Sequence, residues 1–471
     1  MSTNNLQNMT AATTEQEIIE IVAKQHDYFK RGATKSYQSR IDNLHKLKAA
    51  LIKYEGEMHA ALKQDLGKPE FESYLSETGF SLHDLSTTIS KLKGWMKPKW
   101  KLTSLLTQPG SSRIYYSPLG VNLIIAPYNY PVMLTFAPLI AAIAAGNTAV
   151  IKTSEMTPTC SAIIRKIISE TFDPEYIAYI EGEVNETTIL LQQKFEHIFF
   201  TGSPRVGSIV MSAAAKSLTP VTLELGGKSP CIVHEDAKLD IAVNRIVSSK
   251  FLNAAQTCVA PDYVMVHKAV KEAFLSKLKD RIIKVYGEDA STSPDFARIV
   301  SDNHFQRICG LIDQQKVIVG GQSDAESRFI APTVMRDVTL ADKVMSDEIF
   351  GPLLPVLEYE SLDDVYKVVD QLPHHPLACY LFSESTMLQQ EIINNIQSGG
   401  ACINNCIFHA GNHHLPFGGV GESGIGAYHG FDGFECFSHK KGVLKSASWM
   451  DNPLTYAPYG NKINLLRKFL K

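Results

Sequence analysis

The 471-residue sequence lacks several features that mark common classes of protein. Its eight cysteines include no C-x-x-C pair and are too few and too scattered for a disulfide framework. It has no surplus of positive charge, because 46 Lys and Arg residues face 49 Asp and Glu residues, and so a nucleic-acid partner is not expected. The N-terminal residues show no positive patch followed by an apolar stretch, and so no secretory signal is expected.

Long apolar runs are also missing. The most apolar segment, residues 131–145, contains Pro138 and is shorter than the roughly 18 apolar residues that a membrane helix needs. We therefore expect no membrane span and a reduced, cytoplasmic protein. With 44% apolar and 20% charged residues the chain can bury a large core. Its length fits about three domains, or one large domain with an insertion.

Periodicity divides the chain into a helical start and an alternating α/β remainder. Apolar residues recur at three- and four-residue steps from Leu44 to Leu62, and Thr14 with Glu17 has capping-box spacing, which predicts helices in the first hundred residues. After residue 118, short apolar runs typical of strands alternate with helical patterns. This alternation predicts mostly parallel sheets covered on both faces. A second series begins after Gly226-Gly227, where we expect a domain boundary.

Two motifs suggest chemistry that their context does not support. Gly419-Val-Gly421-Glu-Ser-Gly424 spells a dinucleotide fingerprint, but it follows Pro416-Phe417 instead of a strand and leaves fewer than 50 residues for a βαβ unit. We expect it to be a loop. Cysteines and histidines between Cys402 and His414 have spacings found in metal sites, yet no compact second pair of ligands accompanies them. We expect no metal there.

Three polar residues stand out in apolar or turn-forming sequence. Cys258 ends the segment Asn253-Ala-Ala-Gln-Thr-Cys258, in a predicted loop between a helix and a strand, where a cleft at a domain edge is plausible. Glu224 lies inside an apolar strand before two glycines, and a buried carboxylate must be partnered, protonated or functional. Asn129 follows another predicted strand, at the carboxyl edge of the sheet. A lone cysteine usually marks only a buried thiol, and so the prediction rests on the three together.

These segments resemble the aldehyde dehydrogenase family, and particularly its class 3 branch. Five segments match motifs of the family in the family's order: residues 127–131, 223–230, 255–258, 348–352 and 416–424. The run from residue 423 to residue 439 is similar to class 3 members. The similarity spans roughly residues 44–459.

The resemblance implies NAD(P)-dependent oxidation of an aldehyde to a carboxylic acid. Cys258 would attack the carbonyl carbon to give a thiohemiacetal, while the Asn129 side chain and the Cys258 N–H hold the oxyanion. Hydride transfer to the nicotinamide would leave a thioester, and Glu224 would activate water as the general base. Class resemblance points to medium- or long-chain aliphatic and aromatic aldehydes, and Tyr128 and Tyr130 suggest an apolar tunnel.

The resemblance also implies a cofactor site for NAD, with NADP as the alternative, and no metal. Lys152 and Glu155 match the family's pair at the adenine ribose, where Glu155 favours a free 2′-hydroxyl and Lys152 favours a 2′-phosphate. Ser203 would contact phosphate at a helix N-terminus. Glu348 would bind the nicotinamide ribose and Phe350 would lie against the nicotinamide. The full implied set is Lys152, Glu155, Gly202, Ser203, Gly207, Leu225, Glu348 and Phe350.

The expected fold class is α/β, with two parallel-sheet (Rossmann-like) domains and a small β oligomerisation arm. We expect residues 1–99 and 119–226 in the NAD(P)-binding domain, 227–420 in the catalytic domain, 100–118 and 430–446 in the arm, and 447–471 in a C-terminal tail. Class 3 resemblance implies a homodimer that pairs by strand addition. The tail is too short to span a membrane, and we expect a docked or frayed end.

Two other functions stay open on the sequence. A non-redox cysteine hydrolase would need a histidine base, and no motif nominates one of the 15 histidines. A catalytically silent scaffold of the same fold would be favoured by loss of Cys258, Glu224 or Asn129, and all three are present. CoA-acylating relatives generally lack the glutamate base, and so Glu224 favours water as the acyl acceptor.

One residue departs from the family pattern. Ala255 stands where the family usually has Gly, three residues before the predicted nucleophile. If the backbone there has a positive φ, Ala strains the loop by about 1 kcal/mol.

Overall fold

A computed structural model describes residues 12–372 and 375–469 of the chain. Residues 1–11 of the predicted first domain, 373–374 of the predicted second domain and 470–471 of the predicted tail lie outside the described residues. Within the described part the α-helices are α1 Glu15–Lys30, α2 Tyr37–Lys53, α3 Glu55–Leu66, α4 Glu70–Ser73, α5 Gly79–Trp95, α6 Met133–Ala145, α7 Pro158–Thr171, α8 Val184–Gln192, α9 Pro204–Ala215, α10 Leu239–Lys250, α11 Lys271–Tyr286, α12 Asp302–Cys309, α13 Leu362–Gln371, α14 Thr386–Asn395, α15 Gly430–Cys436 and α16 Lys462–Phe469.

The strands belong to four sheets of different size. In chain order they are β1 Lys99–Lys101, β2 Gly110–Pro118, β3 Val121–Ile125, β4 Thr148–Lys152, β5 Ile177–Tyr179, β6 His197–Thr201, β7 Val221–Glu224, β8 Pro230–Val233, β9 Tyr263–His267, β10 Val317–Val319, β11 Ser323–Asp324, β12 Phe329–Ile330, β13 Thr333–Met335, β14 Leu353–Tyr359, β15 Ala378–Phe382, β16 Gly400–Ile403, β17 Gly424–Ile425 and β18 Ser438–Ser446.

The helical start of the chain follows its local signals. The predicted capping box is confirmed at α1, where the Glu17 N–H donates to Thr14 Oγ1 at 3.3 Å and the Thr14 N–H donates to Glu17 Oε2 at 2.8 Å. The apolar run predicted as one stretch is divided into α2 and α3 at Tyr54, whose φ is −103° and ψ 10°. The next stretch holds a π-helical turn, Tyr74–Thr78, between α4 and α5, which periodicity did not predict.

The first large sheet has the order β17-β7-β6-β3-β4-β5. Strands β3 to β7 run parallel, and only β17 is antiparallel, paired with β7. Because parallel strands end at one edge, the loops after β3, β4, β6 and β7 all open on the same side of the sheet. The strands predicted at 121–126, 148–152, 197–200 and 221–225 are confirmed to within one residue.

The second large sheet has the order β10-β13-β14-β9-β8-β15-β16 and is parallel except for β10. The chain leaves the first sheet at Glu224 and enters the second at Pro230, and the predicted boundary Gly226-Gly227 lies between them. The predicted α/β class with parallel sheets is therefore confirmed, while the residue limits of the domains remain a prediction.

A third sheet, β1-β2-β18, contains residues from both predicted arm segments. Strand β18 pairs antiparallel with β2 over nine residues, from Ser438 opposite Pro118 to Ser446 opposite Gly110. The predicted segment 430–446 is only partly strand, because its first residues form helix α15. Among the described residues, no helix combines the length and apolar character needed to cross a membrane.

A buried histidine links the first sheet to the base of the arm and makes stability depend on pH. His197 Nε2 lies 2.9 Å from Thr222 Oγ1, and its ring lies 4.8 Å from that of Phe437. Burial lowers the pKa of His197 to about 3. Since an unfolded histidine titrates near 6.5, the unfolded chain binds a proton below that pH while the folded chain does not.

We therefore expect His197 to destabilise the fold as pH falls from about 6.5 towards 3. In His197→Gln the free energy of unfolding should fall less steeply over this range, by up to about 1.4 kcal/mol per pH unit. Urea unfolding at several pH values measures the slope, with the exposed His414→Gln as control. An unchanged slope in His197→Gln would contradict this assignment.

Candidate active site

The three predicted catalytic residues lie at the ends of three different elements. Glu224 is the last residue of β7, Asn129 lies between β3 and α6, and Cys258 lies between α10 and β9. Asn129 and Glu224 are buried, and Cys258 is partly exposed. The Asn129 Nδ2 donates to the Gln256 carbonyl at 3.0 Å, which joins the asparagine to the loop of the cysteine.

The loop before Cys258 has unusual backbone geometry. Asn253, Ala254 and Ala255 have φ values of 53°, 50° and 60°, three consecutive residues in the left-handed region. The condition for strain at Ala255 is thus met, because only glycine takes this conformation freely. Side chains hold the loop in place, since Gln256 Nε2 donates to the Asn253 carbonyl at 3.1 Å and the Val300 N–H donates to Gln256 Oε1 at 2.9 Å.

The surroundings of Cys258 keep its thiol protonated. Burial, followed by the negative charges of Glu348 and Glu224, raises the pKa of Cys258 to about 12. Only the thiolate is a strong nucleophile, and so the cysteine needs a neighbouring positive charge or a proton acceptor to react.

Glu224 is a carboxyl group without a partner. It is 2% exposed, and neither carboxylate oxygen has a hydrogen-bond partner among the described residues. Burial raises its pKa well above the usual range for glutamate. An unpaired buried carboxylate is costly, and so this group is ready to hold a proton or to accept one from water that enters the site.

A donor and an acceptor lie together at the end of β4. Lys152 is buried, and its Nζ donates to the Thr153 carbonyl at 2.5 Å and lies 3.7 Å from Glu155 Oε2. Burial lowers the pKa of Lys152, which Glu155 partly offsets. The Glu155 side chain is 39% exposed and can reach a ligand at the sheet edge. An ammonium beside a carboxylate suits the hydroxyls of a ribose.

The loop after β6 leaves the N-terminus of α9 open. A Cβ at Gly202 would lie 2.5 Å from the Phe200 ring, and one at Gly207 would lie 2.7 Å from the Leu225 side chain, so close packing requires both glycines. Ser203 is the N-cap of α9, and its Oγ accepts from the Val206 N–H at 3.4 Å. Ser203 is exposed at this helix N-terminus, and helix N-termini favour phosphate.

The Glu348 carboxylate fills the space beside Gly226. A Cβ at Gly226 would lie 2.0 Å from Glu348 Oε2, so the glycine makes room for the acid. Burial, followed by the charge of Asp262, raises the pKa of Glu348 to about 8. Phe350 has a φ of 50°, and its ring lies 6.0 Å from that of Tyr128.

A buried ion pair that was not predicted holds the loop that carries Glu348 and Phe350. Lys228 Nζ lies 2.5 Å from Asp262 Oδ2 and donates to the Asp347 carbonyl at 2.8 Å. Asp262 Oδ1 accepts from the Ile349 N–H at 3.0 Å. Lys228 lies within the matched segment 223–230, but nothing in the sequence identifies Asp262 as its partner.

Tyr130 does not face an open tunnel. Its side chain is buried, and its hydroxyl lies 2.6 Å from Thr257 Oγ1, one residue before the cysteine. Tyr128 points differently, with its ring 5.4 Å from His304. Adjacent residues of the turn project in different directions, which the sequence alone did not reveal.

The glycine-rich segment 419–424 is a loop, as predicted. Its last residue begins β17, and Gly424 pairs with Glu224. The Leu225 N–H donates to the Ser423 carbonyl at 3.1 Å. The segment therefore packs against the end of β7 that carries Glu224.

The cysteines and histidines of the rejected metal motif are dispersed. Cys402 Sγ lies 3.3 Å from His409 Nδ1, while His413 Nδ1 lies 3.4 Å from Asp84 Oδ1 and His414 is exposed. Within residues 12–372 and 375–469, no three His, Cys, Asp or Glu side chains form a group that could hold a metal ion.

The polar groups along the sheet edge fit a dinucleotide. Lys152 ends β4 and Glu155 follows it, Ser203 caps α9 after β6, and Glu348 lies beside Gly226, which follows β7. This order offers ribose, phosphate and ribose contacts in sequence, and it ends beside the carboxylates that act on Cys258.

Comparison with known proteins agrees with this geometry. The model of the aldehyde dehydrogenase family matches residues 2–443. A 4,4′-diaponeurosporen-aldehyde dehydrogenase of Staphylococcus aureus is 44% identical over 446 residues, which cover 94% of this chain and 97% of that protein. A dimeric, NADP-preferring aldehyde dehydrogenase of Rattus norvegicus is 44% identical over 427 residues, 91% of this chain and 94% of that one.

The solved structures give the same result. The substrate-bound state of Staphylococcus aureus AldH superimposes with a TM-score of 0.94 at 43% identity, covering 96% of this chain and 99% of that one. Family 3 member H1 of Arabidopsis thaliana, a further relative by sequence, is 42% identical over 96% of this chain and 94% of that protein. The chain therefore belongs to the aldehyde dehydrogenase family, with class 3 members among its relatives, and it is an oxidoreductase that oxidises aldehydes with NAD(P).

Proposed function

We propose that this enzyme oxidises apolar aldehydes to free carboxylic acids with Cys258 as nucleophile, Asn129 as oxyanion donor and Glu224 as general base. The observation that carries the proposal is the partnerless, buried Glu224 carboxyl beside the loop of Cys258. Its negative charge acts on the cysteine, and it has no structural partner among the described residues that would explain its burial.

In the first step the Cys258 thiol, which is partly exposed, loses its proton to solvent water. The sulfur bonds to the aldehyde carbon, and the carbonyl oxygen takes the electron pair of the broken C=O π bond. The Asn129 Nδ2 has two hydrogens, of which one is bound to the Gln256 carbonyl, and the other is free for the oxyanion. The Cys258 N–H is the second donor. One such donor is worth about 3–4 kcal/mol in the transition state.

A nicotinamide cofactor would supply the hydride acceptor for oxidation of the thiohemiacetal to a thioester. Lys152 and Glu155 would hold its adenine ribose. Gly202, Ser203 and Gly207 would admit its pyrophosphate to the N-terminus of α9, with Leu225 packed beneath. Glu348 and Phe350 would bind its nicotinamide end. Its positive nicotinamide would also lower the thiol pKa that the carboxylates raise.

In the last step Glu224 takes a proton from water as the water oxygen bonds to the acyl carbon. The carbon–sulfur bond then breaks, the acid leaves, and the Cys258 sulfur regains a proton. General-base assistance of this kind contributes typically 10²- to 10⁴-fold.

We propose NAD as the preferred cofactor and NADP as an accepted one. Glu155 can accept from a free 2′-hydroxyl, which favours NAD. Its exposure lets it turn towards solvent, which leaves Lys152 to face a 2′-phosphate. The name of the rat relative, NADP-preferring, is consistent with tolerance of both.

The proposed substrates are medium- or long-chain aliphatic and aromatic aldehydes. Phe71 is 76% exposed, and Tyr74 and Leu75 are also exposed, on the helical segment that contacts both catalytic loops through its buried face. Exposed apolar side chains beside a site favour an apolar ligand.

A homodimer is the proposed assembly. Strand β18 is an edge of the arm sheet and β16 is an edge of the second large sheet, so β18 of one copy can extend the sheet of another at β16. Trp100, Leu102, Leu105 and Leu444 are exposed on or beside the arm strands. We place the enzyme in the cytoplasm, where its eight free cysteines would stay reduced.

The main test is NAD(P)H formation with aldehydes of increasing chain length, with each cofactor and without CoA. Cys258→Ala should lose more than about 1,000-fold in kcat. Glu224→Gln should keep a first-turnover burst of NADH but lower the steady rate by about 10²- to 10⁴-fold, because only deacylation needs the base.

The same experiment discriminates between the alternatives. Cysteine-dependent ester hydrolysis with no NADH from any aldehyde would support the hydrolase. Absence of both activities and of NAD binding in a folded protein would support the silent scaffold, whereas NAD binding without activity would point to Ala255 or to an unusual substrate. If activity required CoA, the assignment of Glu224 as base for water would be wrong.

Ala255→Gly should remove strain from the nucleophile loop. An L-residue at this φ costs about 1–2 kcal/mol, which glycine avoids. The greater flexibility of the unfolded glycine variant offsets about 0.4–1 kcal/mol of this stabilisation. We expect the free energy of unfolding to rise by up to about 1 kcal/mol. Denaturant unfolding should show the opposite sign for Ala49→Gly, at an exposed position inside α2. A loss of stability in Ala255→Gly would show that the loop carries no strain there.

Leu444→Asp should dissociate the dimer, because a charge would then lie in the interface beside β16. Sedimentation velocity should shift from twice the mass of the chain to a single mass. Ile52→Asp, at an exposed position of α2, is the control and should leave the mass unchanged. An undisturbed dimer in Leu444→Asp would place the interface elsewhere.

A further inference from the structure

The π-helical turn between α4 and α5 is closed by a backbone hydrogen bond. The Gly79 N–H donates to the Tyr74 carbonyl, five residues earlier. A Cβ at Gly79 would lie 2.6 Å from that carbonyl oxygen, so a side chain there would displace the turn. Turns of this kind are rare and frequently lie at functional sites.

Glu72 lies just before the turn and Glu77 lies within it, and both are buried. Glu72 and Glu77 are five residues apart, which in a regular α-helix would place them about 140° apart around the axis. The i→i+5 turn brings them close to the same side. Both are buried, and Glu77 has no exposed surface.

Glu77 binds the loop that carries Asn129. One of its oxygens accepts from the Val132 and Met133 N–H groups, each at 2.9 Å, at the start of α6. Helix α6 has no side-chain cap of its own, and so this carboxylate supplies one. The other oxygen lies 2.5 Å from Lys68 Nζ, and Lys68 also donates to the Asn129 carbonyl at 3.1 Å.

Glu72 binds the loop that carries Cys258. Its Oε2 accepts from the Asn253 N–H at 3.0 Å, the first of the three left-handed residues. Asn253 Nδ2 donates in turn to the Asn129 carbonyl at 2.8 Å. The two loops are therefore joined to each other and to one face of one helical segment.

We propose that Glu72, Glu77 and Lys68 form a clamp that sets the position of the Asn129 amide relative to Cys258. None of the three belongs to the predicted site, and each is a positioning residue that acts through the two loops. The inference rests on the proposed roles of Asn129 and Cys258.

The energetics favour a positional role. A buried ion pair is often no more stable than apolar residues of the same volume, whereas a single buried charge is strongly destabilising. Lys68 and Glu77 have no exposed side-chain surface. Such a pair therefore contributes little net stability over an apolar core, but its directed hydrogen bonds orient three backbone groups at the site.

The test is a double-mutant cycle between Glu77→Gln and Asn129→Ala. We expect Glu77→Gln to lower kcat by about 10- to 100-fold, because a displacement near 1 Å costs that much, while KM for NAD changes less than about twofold. In the Asn129→Ala background the same change should lower kcat by less than about twofold, since no amide remains to be positioned.

Stability is separated from positioning by two further variants. Asp65→Asn is the matched control, because Asp65 is a buried carboxylate that accepts from the Cys160 N–H at 2.8 Å near the start of α7. It should lower Tm and leave kcat within about twofold. Lys68→Met/Glu77→Gln removes both charges, and it should regain Tm relative to Glu77→Gln but keep the low kcat.

The outcomes are distinguishable. Equal effects of Glu77→Gln in the two backgrounds would overturn the clamp, and so would recovery of kcat together with Tm in the neutral pair. Full activity in Asn129→Ala alone would overturn the proposed role of Asn129, and the clamp with it. Loss of kcat in Asn129→Ala without loss in Glu77→Gln would leave the proposed function standing and remove only the clamp.

Discussion

The burial of ionisable groups is the constraint on which the active site depends. Two lysines without exposed side-chain surface, Lys68 and Lys228, each meet a carboxylate at 2.5 Å, in Glu77 and Asp262. The first pair binds the loop of Asn129, and the second binds the loop of Glu348. Charges this deep must be satisfied in full, and so their hydrogen bonds reach backbone groups whose positions then have little freedom. Glu224 differs from these two carboxylates, because neither of its oxygens has a hydrogen-bond partner among the described residues.

The parallel sheets convert sequence order into spatial order. Strands β3, β4, β6 and β7 end at one edge, and each is followed by a candidate residue for oxyanion, ribose, phosphate or proton. The second sheet delivers Cys258 and Glu348 to the same place from the far side of Gly226-Gly227. The proposed nucleophile is therefore held by the second sheet, while most of the proposed cofactor residues are held by the first.

Local patterns predicted much of this arrangement. The strands around residues 121–125 and 221–224 follow from short apolar runs. The loop of Asn129 was predicted after a strand, and the loop of Cys258 was predicted between a helix and a strand. The positive φ at Ala255 was anticipated as a condition, because the family pattern has a glycine there. These features depend on neighbours in the chain, and so the chain sequence is sufficient to predict them.

The remainder depends on partners that are distant in sequence. Lys68 lies between α3 and α4, and Glu77 lies in the π turn. Charged residues at such places usually face water, and only the fold shows that both are buried. The π turn changes which residues share a face without changing the apolar pattern enough to be noticed. Strand β2 gave no periodic signal because neither of its faces is fully buried, and its partner β18 lies near the other end of the chain.

The pairing of β17 with β7 has a consequence for the time at which the enzyme matures. Glu224 is covered by Gly424, which the ribosome adds 200 residues later, and the intervening chain forms the second sheet. At about 5–20 residues per second, synthesis of that stretch takes roughly 10–40 s. Throughout this interval the edge of β7 is unpaired, and water can reach Glu224 from the side that β17 later covers. A nascent chain can thus fold the parallel strands of its first sheet early, but the pairing of β17 beside Glu224 is one of the last parts to form.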